Sequence, residues 1–187
     1  MFIHEIDDEL ALKLPELKDA DRIFELTDSS REYLKEWLPW VDFTVKLEDT
    51  QDFIKAGRIN YAEGKTLNTA ILYKGEIAGM GGFNSISQAN KAASIGYWLA
   101  PQYQGHGIMT RVVKAFTEYA FNELKLNRVE IRAAVGNQRS RSIPKRLGYV
   151  AEGTIRQAEW LYDHYVDHVV YGMLAEEWHN RIKNTQQ

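Results

Sequence analysis

The chain has 187 residues, 44% of them hydrophobic and 26% charged, with a formal net charge of −3 and no cysteine. That length suits one domain with its own core, the missing cysteine excludes disulfide frameworks, thiolate metal sites and cysteine nucleophiles together, and the slight acidic balance lacks the electrostatic footprint of a dedicated nucleic-acid binder. Met1 to Leu10 has neither a basic start nor an apolar core, and no apolar run approaches the ~20 residues of a membrane helix, so a soluble cytoplasmic protein without membrane partners is expected.

Residues 2–6 and 10–14 alternate apolar and polar positions around Asp7-Asp8-Glu9, which predicts two short strands. From Asp19 the period turns helical, with Ile23, Phe24 and Leu26 on one side. Ser29-x-x-Glu32 reads as a capping box that starts a second helix through Leu34 and Trp37, stopped by Pro39. A third helix is predicted over 48–63, carrying Phe53, Ile54 and Tyr61. The period then changes: 67–73 and 77–84 are strands joined through Lys74-Gly75-Glu76, and 92–99 is another, ended by Pro101. Gly105-His106-Gly107 precedes an amphipathic helix with Ile108, Val112, Phe116, Tyr119, Ala120 and Leu124 at helical spacing. Residues 129–135 read as a strand and 137–147 as a short helix ended by Gly148, with Pro144 costing a hydrogen bond unless it lies in the first turn. A hairpin over 149–161 and 165–174, turning at Asp163-His164, and a helical turn over 176–182 complete a single domain, 1–182, with 183–187 as a disordered tail. This order makes a mixed α/β fold whose sheet is mostly antiparallel, not a doubly wound parallel one.

The most informative segment runs from Trp98 to Thr110, where a strand ends, a glycine-rich turn follows and a helix begins. Backbone N–H groups and the positive end of the helix dipole converge there, and glycine admits close approach of a ligand, so the segment reads as a phosphate cradle. The bland alternative is a tight turn that needs positive φ. A nucleoside-triphosphate loop fails, because Gly64-Lys65-Thr66 has Ile59 where the first glycine belongs. A dinucleotide fingerprint is weak, since Thr110 stands in the place of its third glycine.

Leu99-x-Pro101-x-Tyr103-Gln104-Gly105-x-Gly107-Ile108 resembles the acyl-CoA loop of the GNAT acetyltransferases, with Met109 in place of the usual small residue. Asn137-Gln138-Arg139-Ser140, Leu147-Gly148-Tyr149, Glu152-Gly153, Arg156-Gln157-Ala158-Glu159 and Glu177-Trp178 resemble the RimJ/RimL branch, the ribosomal-protein N-acetyltransferases. Glu36-Trp37-Leu38-Pro39-Trp40, Glu48-Asp49 and Phe53-Ile54 are similar to its N-terminal half. The resemblance implies a twisted sheet flanked by helices, with acyl-CoA in a splay between central strands, and acetyl transfer from acetyl-CoA to an amine without a metal. It assigns the donor to Leu99, Gln104, Gly105, His106, Gly107, Ile108, Met109, Thr110 and Asn137. It makes Glu159 the general base and Ser140 the donor to the leaving thiolate, and it implies a homodimer and a ribosomal-protein N-terminus as acceptor. A tyrosine seven residues after the asparagine, used by other family members, is replaced here by Pro144.

The basic run Arg139, Arg141, Lys145 and Arg146 offers partners for CoA phosphates, and Arg141 is expected by position to touch the ligand. His106 is expected to contribute its backbone N–H rather than its ring. Ser140 has a second reading as a helix-cap or helix-surface serine. Trp37 and Trp40 read either as core or as the lip of an acceptor slot. His164-x-x-x-His168 lacks the glutamate of a zinc protease and is set aside. An acceptor among small amines or antibiotics, a non-catalytic acyl-CoA-binding protein and a dinucleotide oxidoreductase stay open as alternatives.

Overall fold

The alternation at the start of the chain becomes a ribbon of two short antiparallel strands, β1 (Ile3–Glu5) and β2 (Leu10–Lys13), in a computed structural model that describes residues 3–185. Phe2 of the first predicted strand and the last two residues of the expected tail lie outside the described residues. Lys13 ends β2 buried, with its Nζ 2.6 Å from Asp19 Oδ1, and Asp19 Oδ2 accepts from the Glu16 N–H at 2.8 Å. A buried ion pair held by further hydrogen bonds is costly to break from one side, about 3–5 kcal/mol. It therefore sets how the chain leaves the sheet and enters α1 (Ala20–Ser29).

Ser29 is the last residue of α1, and its hydroxyl donates to Leu26 O at 3.3 Å. The next helix, α2 (Arg31–Lys35), starts from Ser30 with no side-chain cap. The capping box expected at Ser29 and Glu32 is therefore not formed: a serine in a last helical turn bonds backwards to a carbonyl instead of forwards to an N–H. Helix α3 (Leu47–Ala62) starts one residue before the predicted bound.

Six further strands, β3 (Leu67–Tyr73), β4 (Glu76–Ser87), β5 (Ala92–Leu99), β6 (Arg128–Ala134), β7 (Val150–Leu161) and β8 (His164–Leu174), complete one sheet in the order β1-β2-β3-β4-β5-β6-β8-β7. Every pairing is antiparallel except that of β5 with β6. Between those two strands runs α4 (Ile108–Asn122), and α5 (Gln138–Leu147) follows β6. The closing helix, α6 (Ala175–Thr185), continues three residues beyond the expected bound at 182.

Successive strand residues face opposite sides, so each side of the sheet carries its own core. On one side Ile71, Phe83, Ile95, Ile131 and Tyr171 pack against Ile108, Val112, Phe116 and Ala120 of α4. On the other, Ala70, Ile77 and Met80 meet Ile23 and Leu26 of α1 and Ile54 of α3.

One irregularity positions everything that follows. β5 and β6 pair only over Ala92–Ile95 and Arg128–Ile131. Beyond that, β5 continues against β4 as far as Leu99, and β6 continues against β8 as far as Ala134. The sheet therefore opens between the carboxyl ends of its two parallel strands, and the helices that follow them, α4 and α5, both start at that opening. Open α/β sheets place their ligands at such a break.

Candidate active site

A cleft of about 1890 Å³ occupies the opening, lined by Leu99, Gln104, Gly105, Gly107, Ile108, Met109, Thr110, Asn137, Ser140 and Glu159 among others. Its first wall is the end of β5 and the glycine turn. Ala100 N donates to Ala78 O at 3.0 Å. By the alternation of an antiparallel pair, the N–H groups of Tyr97 and Leu99 point the other way, into the opening. Gly105 and Gly107 have φ of +84° and +68°, and a Cβ built on either meets nothing within 4 Å. Both glycines serve a left-handed backbone beside open space. Gly107 is the N-cap of α4, so the first-turn N–H groups of Ile108, Met109 and Thr110 have no helical partner and face this end with the helix dipole behind them.

Two arginines close over the turn. Arg139 Nη1 donates to Gln104 Oε1 at 2.7 Å, and Arg146 Nη1 donates to Thr110 Oγ1 at 3.1 Å. Arg141, the arginine singled out by position, is turned away. Its Nε donates to Tyr171 Oη at 3.1 Å and its Nη1 to Val135 O at 2.6 Å, and it does not line the cleft. The helical period explains the difference: on α5, residues 139 and 146 are two turns apart and share a face that 141 does not. His106 also stays outside the cleft, stacking its ring on Tyr73 at 5.7 Å between centroids.

The second wall is the start of α5. Asn137 is its N-cap, with Oδ1 accepting from the Ser140 N–H at 3.0 Å. Ser140 is therefore not the cap. Its hydroxyl donates to Tyr97 Oη at 3.3 Å, across the opening on β5, and Tyr97 Oη donates to Ser140 O at 3.2 Å. Pro144 lies inside the helix, past its first turn.

Glu159 comes from β7, where the chain departs from a plain hairpin. Ile155 pairs with His168 and Glu159 with Val166, so four residues on β7 span what two span on β8. Gln157 takes a left-handed φ of +49° in this bulge, and its N–H donates to Asp167 Oδ1 at 2.7 Å. A bulge of two extra residues keeps Glu159 on the face it would otherwise hold and bends the strand locally. Glu159 Oε2 then lies 3.5 Å from His168 Nε2, with side chains 32% and 15% exposed respectively, both lining the cleft.

The remaining wall comes from the segment after α2. Trp37 covers Gly136, whose Cβ would meet the indole ring at 3.5 Å, and Trp40 lies 6.2 Å from Trp98 between ring centroids. All three tryptophans are half-buried and line the cleft, which joins the two readings of Trp37 and Trp40: part core, part wall. Tyr162, at the turn of the β7–β8 hairpin, donates from Oη to Leu38 O at 2.5 Å and lies under the Lys35 ammonium. The hairpin turn falls on Tyr162-Asp163, one residue earlier than predicted, with Tyr162 at a φ of +61°.

Sequence reasoning passed over Tyr97, Trp98 and His168 as site residues. His168 carried a signal, its spacing from His164, that pointed toward a metal and away from its actual neighbour. Tyr97 and Trp98 read as ordinary strand residues, and no local pattern distinguishes a strand that splays from one that does not.

Comparisons with known proteins agree with this geometry. The acetyltransferase (GNAT) domain family matches residues 9–150. YdaF of Bacillus subtilis (strain 168), provisionally named a ribosomal N-acetyltransferase, is 35% identical over 95% of this chain and 98% of its own length. Among solved structures, RimL, a ribosomal L7/L12 α-N-protein acetyltransferase in complex with coenzyme A, superimposes with a TM-score of 0.89 at 28% identity, covering 94% of this chain and 99% of that one. The microcin C7 self-immunity acetyltransferase MccE, in complex with acetyl-CoA and AMP, superimposes with a TM-score of 0.86 at 31% identity, covering 90% and 94%.

Proposed function

Since this chain belongs to the GNAT acetyltransferases and transfers acetyl to an amine, we propose that its acceptor is the N-terminal α-amine of a ribosomal protein, with Glu159 as general base and Ser140 facing the leaving thiolate. The observation that carries this reading is the meeting of three groups at one opening: the N–H groups of Tyr97 and Leu99, the Glu159 carboxylate and the Ser140 hydroxyl. Acetyl-CoA suits the cradle, whose left-handed glycines, uncapped N–H groups and flanking Arg139 and Arg146 would receive its pyrophosphate. Asn137, which lines the same cleft, would face its pantetheine arm.

The chemistry divides among these residues. An α-amine has a pKa of ~7.7–8.0, against ~10.4 for lysine, so a modest base suffices to take its proton at neutral pH. Glu159 receives that proton, with the His168 imidazole its neighbour at 3.5 Å. As the amine adds to the thioester carbonyl, negative charge grows on the carbonyl oxygen. The N–H groups pointing in from β5 are preorganised donors for it. Ser140 hydrogen-bonds the sulfur as it leaves. A hydroxyl is a weaker acid than a thiol, so it stabilises the thiolate without surrendering its own proton.

A second reading, a small-molecule amine as acceptor, is favoured by the tryptophan wall and by the likeness to MccE, solved with AMP bound. Thiol release measured over ribosomal-protein N-terminal peptides and a panel of small amines separates the two. Peptide turnover is expected to exceed that of every small amine, and the reverse ranking transfers the assignment to the small molecule. Glu159→Gln is expected to lower kcat by about 10²–10⁴-fold with acetyl-CoA affinity unchanged. Loss of acetyl-CoA binding in that variant would overturn the base assignment.

A further inference from the structure

The peptide geometry of α5 contains a gap that a neighbouring strand fills. Pro144 has no N–H, so the carbonyl four residues earlier, that of Ser140, loses its helical donor. Tyr97 Oη, reaching from the part of β5 that has left β6, donates to that same carbonyl at 3.2 Å. The same phenol oxygen accepts from Ser140 Oγ at 3.3 Å. Asn137 Oδ1 holds the Ser140 N–H at 3.0 Å. Every polar group of Ser140 is thus engaged, and two of the three engagements run through one side chain on the opposite wall of the cleft.

We infer that Tyr97 is a positioning residue for acetyl transfer, holding the Ser140 hydroxyl at the open end of the splay, and that Pro144 makes this possible by freeing the Ser140 carbonyl. The inference rests on the reading of Ser140 given above. A helix with an ordinary residue at 144 would use that carbonyl internally and leave Tyr97 only the hydroxyl. With proline there, Tyr97 is anchored by the carbonyl and its ring spans from β5 to α5.

The arrangement has two hydrogen-bonded states. At rest, Ser140 donates to Tyr97, and Tyr97 donates to the carbonyl. When a thiolate forms beside Ser140, the serine O–H turns to the sulfur. The Tyr97 O–H is then in reach of the vacated serine oxygen, and a donor to that oxygen strengthens the bond the serine makes. No covalent bond changes and no proton leaves Tyr97. Burial pushes its hydroxyl up to about 12, so it stays a donor throughout. This is a different use of tyrosine from one that gives up its proton to the sulfur.

Four variants test the inference by kcat, acetyl-CoA Kd and Tm: Tyr97→Phe, Pro144→Ala, the two combined, and Ser140→Ala. Tyr97→Phe is expected to lower kcat about tenfold, the scale of one hydrogen bond, and to lower Tm, with Kd within twofold. Pro144→Ala alone, which returns the carbonyl to the helix and leaves Tyr97 only the serine hydroxyl, should lower kcat by a smaller factor than Tyr97→Phe does. The combined variant has a new N–H for the orphaned carbonyl, so its Tm should recover while its kcat stays low. Recovery of kcat together with Tm would overturn the inference, because Tyr97 would then only satisfy a carbonyl. Ser140→Ala with unchanged kcat would instead overturn the reading of Ser140, and the inference with it. A slow Ser140→Ala beside a fully recovered combined variant rejects the inference alone.

Discussion

The two halves of the cleft are built by different means. The half proposed for the donor is one stretch of chain, Gln104 to Thr110, presenting its own backbone at a helix start, with side chains from α5 laid over it. The half proposed for the acceptor is assembled from segments far apart in sequence: Trp37 and Trp40 after α2, Trp98 on β5, and Glu159 and His168 on the last hairpin, tied to the first segment by Tyr162 and Leu38. A ligand whose charge is constant can be held by a contiguous backbone device, because every residue but proline supplies an N–H. An acceptor of particular shape requires side chains, and these come from wherever the fold brings them together.

That contrast predicts separable failures. Gly107→Val should have the largest effect. A β-branched residue at φ +68° carries about 1–3 kcal/mol of strain, and its side chain projects into the cleft where nothing else stands. Calorimetry should show acetyl-CoA affinity reduced by roughly a hundredfold or more, the combined cost of strain and lost donors. Unchanged affinity would detach the glycine turn from the donor.

Removing Arg139 and Arg146 should come next. Hydrogen bonds to charged groups contribute about 1.5–3 kcal/mol, so each alanine substitution should weaken acetyl-CoA by about tenfold or more, with the loss largest at low salt. Arg141→Ala should instead lower Tm and leave acetyl-CoA affinity within twofold, since its partners are Tyr171 and Val135. Equal losses of affinity from all three would mean that the arginines act only as a diffuse positive field.

Tyr162→Phe releases the hairpin from Leu38 at a cost of about 0.5–1.5 kcal/mol. It should raise the acceptor KM a few-fold and leave the donor Kd alone. A matching change in both would show that the halves are not independent.

The smallest effect lies at the closed base of the splay, which both halves share. Arg128 hydrogen-bonds Glu152 at 2.5 Å and Glu130 at 2.9 Å. Its guanidinium holds the Glu152 carboxyl below the usual range. At Glu130, burial pulls upward, but the hydrogen bonds from Arg128 and Arg132 outweigh it and leave that carboxyl low as well. Depressed folded values stabilise above the unfolded pKa of about 4.3, and that stability is lost as pH falls through the folded values. Arg128→Ala should therefore lower Tm at pH 7 and converge with the parent protein as the pH falls through those depressed values. A gap independent of pH would mean that packing of the arginine, not its charge, is what matters there.

Legibility followed the same division. The glycine turn, the helix after it and the start of α5 near Asn137 were readable because each is a local pattern whose cause is local, a left-handed φ or a change of hydrophobic period at a helix end, although the cap is Asn137 and not Ser140. Pro144 was visible as a proline out of place, yet the donor that the freed Ser140 carbonyl finds in Tyr97 was not, because 43 positions separate that carbonyl from the phenol across the splay. Arg141 was preferred over Arg139 and Arg146 because position along the chain was read without the rotation of the helix. The shift from Ser29 to Ser30 as the junction of α1 and α2 shows the same limit at smaller scale, for a serine near a helix junction has bonding partners on both sides.

From the amino-acid order alone came the alternation of strands and helices, the mixed and mostly antiparallel character of the sheet, and the glycine turn at a helix start, since hydrophobic period and backbone permissiveness are properties of neighbouring residues. The tertiary structure decided where β5 and β6 part, which arginines close over the glycine turn, and that Glu159 meets His168 and Ser140 meets Tyr97. Those facts depend on register, strand bulges and helix rotation, which are settled only when distant segments compete for the same buried surface and the same hydrogen-bonding groups.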